Sequence, residues 1–138
     1  EDVAAYLERR FRTVFHPPYV AMALYTNDHR PLCAALWNDY TPGGSIELTI
    51  VGEPGGMTRG VIRFLAGYAF VKNGCRRVQV HVRKSNKPLL RLMPRFGFEF
   101  ETVAPCFYAD EDAVVFRMLA ASQKWIPLHE IGTTALAA

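Results

Sequence analysis

The sequence predicts a single α/β domain of the α+β type, in which helices flank a mixed, mostly antiparallel sheet with a parallel central pair. Several runs of residues alternate between apolar and polar as β-strands do, and other segments repeat apolar residues every three to four positions as amphipathic helices do. A strand, a helix and a second strand also follow one another between Ser45 and Val82. A right-handed crossover of this kind places its two strands parallel.

The N-terminal part predicts one helix and three antiparallel strands. Apolar residues recur at helical spacing from Val3 to Val14, and we expect the two prolines after His16 to end this helix. The strands are predicted at YVAMALYT, LCAALWNDY and SIELTIV, separated by the turns NDHRP and TPGG.

The second half predicts two helices and three more strands. One helix runs from about Met57 to Asn73, with Gly74 as its stop, and a short one in SNKPLLRLMPRF is opened by Ser85 and Asn86. The strands are RRVQVHV, GFEFETV and VVFRMLA. We assign residues 1–121 to the domain and residues 122–138, which have no strong period, to a C-terminal extension.

Composition excludes several classes of protein. No apolar run approaches the roughly 20 residues that span a bilayer, and the charged, amphipathic first residues do not resemble a secretory signal. The three cysteines and four histidines are scattered, so we expect neither a disulfide framework nor a metal site. Sparse thiols suit a reducing compartment, and we expect a cytoplasmic protein without a membrane partner.

Charge is distributed unevenly along the chain. Ten of the 16 Lys and Arg residues lie between Pro54 and Phe98, a stretch without Asp or Glu, whereas the remaining residues carry all 13 acidic groups. Such a basic block raises the local concentration of anionic ligands, although a solvated basic face would have the same composition.

A glycine-rich segment joins a predicted strand to a predicted helix within this region. In VGEPGGMTRGVIRF, four glycines and a proline precede an apolar, periodic run. Glycines let the backbone come close to a phosphate, and the N–H groups at a helix N-terminus bind anions. The same residues would also serve a tight turn, but the basic block and the following helix favour a phosphate.

The order of these elements, together with GCRRVQVHVRKSNKPLLRLMPRFGFEFE, resembles the GNAT superfamily of acyl-CoA N-acyltransferases. The matching positions are Gly74, Asn86, Gly97 and Phe98, and the resemblance covers about Tyr19 to Leu119. It implies an N-acetyltransferase that transfers an acetyl group from acetyl-CoA to a primary amine of a small molecule or a protein.

The resemblance also implies where acetyl-CoA binds as a co-substrate. In the family, the strand before the loop separates from its neighbour and exposes backbone groups to the pantetheine arm, and the loop follows the pattern Arg/Gln-x-x-Gly-x-Gly/Ala. Here Gly52 replaces the Arg or Gln, and Met57 replaces the final small residue. The predicted cofactor-binding residues are Ile50, Val51, Gly52, Gly55, Gly56, Met57, Thr58, Arg59, Gly60 and Asn86.

For catalysis, Glu47 is the predicted base, because it lies on the strand that meets the thioester and family members use a carboxylate there. Its alternation with Ile46 and Leu48 also fits a solvent-facing strand position, and His81 is a second candidate. Many family members place a Tyr seven residues after the Asn as general acid. Met93, which cannot donate a proton, stands at that position, so the thiolate would leave with water or another donor, for which Cys106 and Tyr108 are candidates.

Two other functions fit parts of the sequence. Met93 and the altered loop would suit a catalytically degenerate GNAT-fold binding or structural protein with weak or no affinity for acetyl-CoA. The basic block would suit a nucleic-acid binder, but we do not expect one, because aromatic residues are not interleaved with the basic ones as stacking requires. The C-terminal tail would also allow a homodimer.

Overall fold

The computed structural model describes residues 2–136, which form one mixed sheet with helices on both faces. The strands are β1 (Val20–Tyr25), β2 (Pro31–Asn38), β3 (Ser45–Gly52), β4 (Arg77–Arg83), β5 (Glu99–Ala104) and β6 (Ala113–Leu119). The helices are α1 (Val3–Phe11), α2 (Arg59–Gly67), α3 (Lys87–Leu92) and α4 (Thr133–Leu136). The strand order is β1-β2-β3-β4-β6-β5, and among these strands only β3 and β4 pair in parallel. The predicted fold class is therefore confirmed.

Two helix boundaries differ from the prediction. Helix α1 ends at Phe11, before the prolines, because Arg12 adopts a left-handed conformation with φ of 54°. Helix α2 begins at Arg59 rather than Met57, since Thr58 is its N-cap and accepts a hydrogen bond from the N–H of Val61 at 3.2 Å.

The end of the second helix lies where the sequence predicts it. After Gly67 the chain continues through a π-helical turn, Tyr68–Lys72, to Asn73. Gly74 follows in the left-handed region, with φ of +62°, and ends the helical segment.

The two faces of the sheet differ in what covers them. Helix α2 packs on one face over the main core, to which β4 contributes Val78, Val80 and Val82. Helix α1 packs on the other face over β1 to β3, where Leu7 and Leu36 are fully buried. Because side chains alternate along a strand, the polar residues of β4 lie on this second face.

The residues after 121 pack on the main core. Ile126, Ile131 and Ala135 are buried in it, and the indole N–H of Trp125 donates to the carbonyl oxygen of Phe96 at 2.8 Å. The predicted extension, residues 122–138, therefore packs on the domain as far as residue 136. Its last two residues lie outside the described part of the chain. The division of the chain after residue 121 stays a prediction.

The buried side chain of Gln123 joins backbone groups at the start of this segment. Its Oε1 accepts from the backbone N–H groups of Trp125 and Ile126, both at 2.8 Å. We expect Gln123→Ala to lower the free energy of unfolding by about 2 kcal/mol, because one buried and one partly buried donor lose their acceptor. Urea unfolding measures this, with Ser122→Ala at the neighbouring exposed position as the control. Equal stability of the two variants would contradict the role given to Gln123.

Candidate functional site

The central feature of the site is a gap between the two parallel strands. β3 and β4 pair only over Ser45–Glu47 and Arg77–Gln79, although β3 continues to Gly52 and β4 to Arg83. Beyond Glu47 the strands separate. Residues 48–52 of β3 remain paired with β2 on their other side, so the separation leaves their β4-facing edge open.

The backbone groups that face this gap can be assigned from the hydrogen bonds at the two ends of β3. The carbonyl oxygen of Gly44 accepts from β4, whereas the N–H of Glu53 donates to the carbonyl oxygen of Leu32, which lies on β2. Because these groups alternate in direction along a strand, the N–H groups of Ile50 and Gly52 point into the gap. The N–H of Val51 points towards β2.

The carboxylate of Glu47 lies where the strands separate. The residue is 7% exposed. Its Oε1 accepts from Nε2 of Gln79 at 2.8 Å, and its Oε2 lies 3.2 Å from the backbone N of His81 and 2.7 Å from Nδ1 of the same residue. The carboxylate therefore occupies the place where a β3 carbonyl would continue the ladder. Glu47 is buried and hydrogen-bonded, and the solvent-facing alternative is excluded.

Gln79 was not singled out from the sequence, but a signal for it exists. Gln79 and His81 alternate with the buried valines of β4, which places both on the same sheet face as Glu47. Two polar residues on that face beside an acidic one indicate a hydrogen-bonded group rather than an isolated carboxylate.

The loop before β6 covers His81 with aromatic side chains. The ring of Phe107 stacks on the imidazole with 4.0 Å between centroids, and the hydroxyl of Tyr108 donates to the carbonyl oxygen of His81 at 3.4 Å. Burial raises the pKa of Tyr108 to about 12, so its phenol stays protonated at neutral pH. Cys106, the other predicted substitute acid, is exposed.

A cavity of about 550 Å³ lies mainly on the α2 face of the sheet, beside the gap, and reaches Arg10 and Phe11 of α1 on the other face. Its wall includes six of the ten predicted cofactor residues: Ile50, Val51, Gly52, Gly55, Met57 and Asn86. Asn86 also caps α3, because its Oδ1 accepts from the N–H of Leu89 at 3.3 Å. Met93 is 2% exposed and forms part of the same wall, so an apolar side chain fills the position where the family has a Tyr.

The glycines of the loop have packing roles that the sequence did not reveal. Gly55 adopts φ of +73°, which an L-residue rarely adopts. A Cβ on Gly56 would clash with the carbonyl oxygen of Leu32, so this glycine lets the loop approach β2 closely. The predicted phosphate frame, residues 52–57, lies wholly before the helix.

The other three predicted residues lie at the exposed start of α2. Since Thr58 accepts from the N–H of Val61, the N–H groups of Arg59 and Gly60 are the ones without an intrahelical acceptor. Exposed cations stand on both helices beside the cavity, Arg59 and Arg63 on α2 and Lys87 and Arg91 on α3. The two free N–H groups and these cations make the start of α2 suited to an anion, although the cations are not part of the cavity wall, where Glu53 stands at this end.

A network of ion pairs continues across the second sheet face. The guanidinium of Arg77 makes a bidentate contact with Glu101, at 2.7 and 3.0 Å, and Arg117 contacts the same carboxylate at 3.3 Å. The hydrogen bond from Arg77 lowers the pKa of Glu101 below its ordinary value of 4.5. Two arginines of the basic block, Arg77 and Arg83, therefore form ion pairs with acidic residues that lie outside that block in the sequence.

Two further features concern metal-ligating side chains and helix length. Among residues 2–136, no group of three or more His, Cys, Asp or Glu side chains could hold a metal ion. Over the same residues, the helices are too short or too polar to cross a membrane.

The chain has the fold of the GNAT acetyltransferases. It superposes on a spermidine/spermine N-acetyltransferase from Vibrio cholerae with a TM-score of 0.63, at 15% identity, covering 83% of this chain and 71% of that one. A GNAT-family acetyltransferase from Bacillus anthracis gives a TM-score of 0.61 at 17% identity, covering 72% and 65%.

A ribosomal-protein-S5-alanine acetyltransferase from Vibrio fischeri gives a TM-score of 0.58 at 15% identity, covering 73% of this chain and 60% of that one. No protein-family model and no curated protein matches the sequence. The similarity is therefore one of fold, and at that level the predicted GNAT resemblance is confirmed.

The ion pair of Glu101 predicts a pH dependence of stability. Because the pKa of Glu101 is lower in the folded state than in the unfolded state, its contribution is present above about pH 4.5 and is lost as the pH falls through the folded-state value. We expect Glu101→Gln to lower the free energy of unfolding by about 1 kcal/mol at neutral pH and to make little difference in acid.

Urea unfolding at several pH values measures this, with Glu99→Gln at an exposed position of the same strand as the control. A destabilisation by Glu101→Gln that persists unchanged in acid would contradict the ion pair as its cause.

Proposed function

We propose that the protein is an N-acetyltransferase that transfers an acetyl group from acetyl-CoA to a primary amine, of a small molecule or of a protein. The observation that carries this proposal is the gap between β3 and β4, which has open backbone groups on one side and the buried Glu47 carboxylate at its closed end. The fold neighbours support it at a coarser level, since they are named for acetyl transfer to spermidine and to a ribosomal-protein alanine.

Acetyl-CoA would bind along the cavity from the start of α2 to the gap. The N–H groups of Arg59 and Gly60, at the positive end of the helix, suit the pyrophosphate. The N–H groups of Ile50 and Gly52 suit the amide carbonyls of the pantetheine arm, whereas the N–H of Val51 points towards β2. Asn86 lines the cavity opposite this edge, where it would contact the coenzyme as well as cap α3.

The thioester would then lie beside Glu47, where an amine could approach from the second sheet face. The amine nitrogen attacks the thioester carbonyl, an amide C–N bond forms, the C–S bond breaks, and the amine gives up a proton. Glu47 and His81 would accept that proton as a pair. Oε2 of Glu47 is hydrogen-bonded to Nδ1 of His81, so Nε2 is the ring nitrogen that remains to take the proton. Positioning of the two reactants supplies much of the rate acceleration.

The departing thiolate also needs stabilisation, and Met93 supplies none. Tyr108 is the proposed hydrogen-bond donor, because its hydroxyl lies at the carbonyl oxygen of His81, on the strand that borders the gap. A phenol with a pKa of about 12 holds its proton more strongly than a thiol of pKa about 8.5. Tyr108 would therefore turn its hydroxyl from the carbonyl oxygen of His81 to the thiolate and donate a hydrogen bond to it, and water would supply the proton.

Acetyl-CoA binding and amine-dependent release of free CoA test the proposed function. We expect calorimetry to detect binding, and a thiol assay to detect turnover with at least one member of a panel of polyamines, N-terminal alanine peptides and lysine peptides. Absence of binding at millimolar acetyl-CoA would overturn the proposal and favour the catalytically degenerate alternative. Binding without acetylation of any amine in the panel would contradict the proposed acceptor class. A homodimer stays a prediction, although one fold neighbour is described as a dodecamer.

The variant Glu47→Gln tests the catalytic group. We expect kcat to fall by about 10²–10⁴, because the proton acceptor is lost. The Kd for acetyl-CoA should change little, since the residues proposed to bind it lie further along the cavity. Glu130→Gln, an exposed carboxyl outside the cavity wall, is the control. An unchanged kcat in the folded variant would contradict a role in proton transfer, as would a fall in kcat that is fully explained by loss of acetyl-CoA binding.

A further inference from the structure

The cavity beside β3 continues inward past the point where β3 and β4 separate. Its outer part is bordered by Gly52, Pro54 and Asn86. Its inner part is bordered by Trp37, Val78 and Met118. Val78 pairs with Ile46 and with Met118, so this end of the cavity reaches the part of the sheet where the parallel strands are still joined. Trp37 pairs with Leu48 and borders the cavity at the level where the gap begins.

The position of the gap limits where the reaction can take place, if the proposed function holds. An amine that approaches from the Glu47 face reaches the cavity only where the sheet is open, which begins at Leu48. The thioester carbonyl must therefore lie at about that level. From Leu48 to the level of Val78 the cavity continues for two residues of strand, or about 7 Å. The methyl group of an acetyl thioester leaves most of that length unfilled.

The chemistry of the inner end identifies what would fill it. Among the described residues of the cavity wall, the only charged side chains are Arg10 on α1 and Glu53 at the end of β3. The inner end is formed by an indole ring, a valine and a methionine, and Leu65 and Ala66 of α2 complete it. The indole N–H of Trp37 is buried and has no hydrogen-bond partner within residues 2–136. The rest of this lining is apolar and suits a hydrocarbon chain better than a charged group.

We propose that the site takes acyl-CoA thioesters with an acyl chain longer than acetyl, such as butyryl or hexanoyl, whose terminal methyl group lies at the inner end of the cavity, beside Val78. This inference rests on the proposed function. The reaction is otherwise unchanged: the amine nitrogen bonds to the acyl carbonyl carbon, the C–S bond breaks, and CoA leaves as the thiol after protonation.

Calorimetric titration with CoA and with acetyl-, butyryl-, hexanoyl- and octanoyl-CoA tests the inference. We expect each added methylene up to hexanoyl to tighten binding by about fourfold, which amounts to about 10²-fold between acetyl and hexanoyl. Octanoyl-CoA should gain nothing more, because its chain exceeds the length of the inner end.

Val78→Phe fills the inner end without changing the outer part. This change should abolish the tighter binding of hexanoyl-CoA, because the added methylene groups can no longer be buried. The Kd for acetyl-CoA should stay within about twofold of its original value. Val103→Phe, the same change at an exposed position of β5, is the control. Val78→Leu is the milder variant if Val78→Phe does not fold, and it should reduce the advantage in part.

The outcomes separate the two proposals. If neither CoA nor acetyl-CoA binds, the proposed function is overturned, and this inference with it. If acetyl-CoA binds and hexanoyl-CoA binds no more tightly, only the chain-length inference is overturned. A hexanoyl preference that survives Val78→Phe would place the chain elsewhere and would also overturn it.

Discussion

The hydrogen bonds of one buried carboxylate allow two parallel strands to separate inside a continuous sheet. A strand that leaves its neighbour exposes backbone donors, and a buried donor without an acceptor costs about 1–3 kcal/mol. Glu47 meets this need on β4, since its side chain accepts from the backbone N–H of His81 and from the side chain of Gln79. In return, these donors satisfy a carboxylate that would be costly to bury alone. The gap, the open edge of β3 and the cavity all depend on this arrangement.

The two sides of the gap have opposite character, and both follow from strand alternation. The valines of β4 face α2 and form an apolar wall, whereas Gln79 and His81 face the other way beside Glu47. A thioester bound on the apolar side would thus meet proton-accepting groups on the polar side through an opening in the sheet. The aromatic loop over His81 limits water at that point, which strengthens the electrostatic interactions there.

The strand pattern, the crossover and two of the helix ends could be predicted because each depends on local sequence. The alternation in SIELTIV and RRVQVHV, the cap at Asn86 and the stop at Gly74 all lie where expected. The role of Gly56 could not be predicted, because it depends on Leu32, which is distant in the chain. Strand alternation places Gln79 on the polar face, but its pairing with Glu47 joins two strands and is visible only in the structure. The inner end of the cavity could not be predicted either, because its wall is formed by Trp37, Val78 and Met118, which lie on three different strands.

Amide hydrogen exchange, followed by NMR with and without saturating acetyl-CoA, tests the central claim most directly. Without ligand, the N–H groups of Ile50 and Gly52 should exchange quickly, because they face the gap, and that of Val51 slowly, because it faces β2. Acetyl-CoA should slow the exchange of Ile50 and Gly52 and leave Val51 nearly unchanged. Rapid exchange of Ile50 and Gly52 in the saturated protein would contradict the account, as would slow exchange of both before any ligand is added.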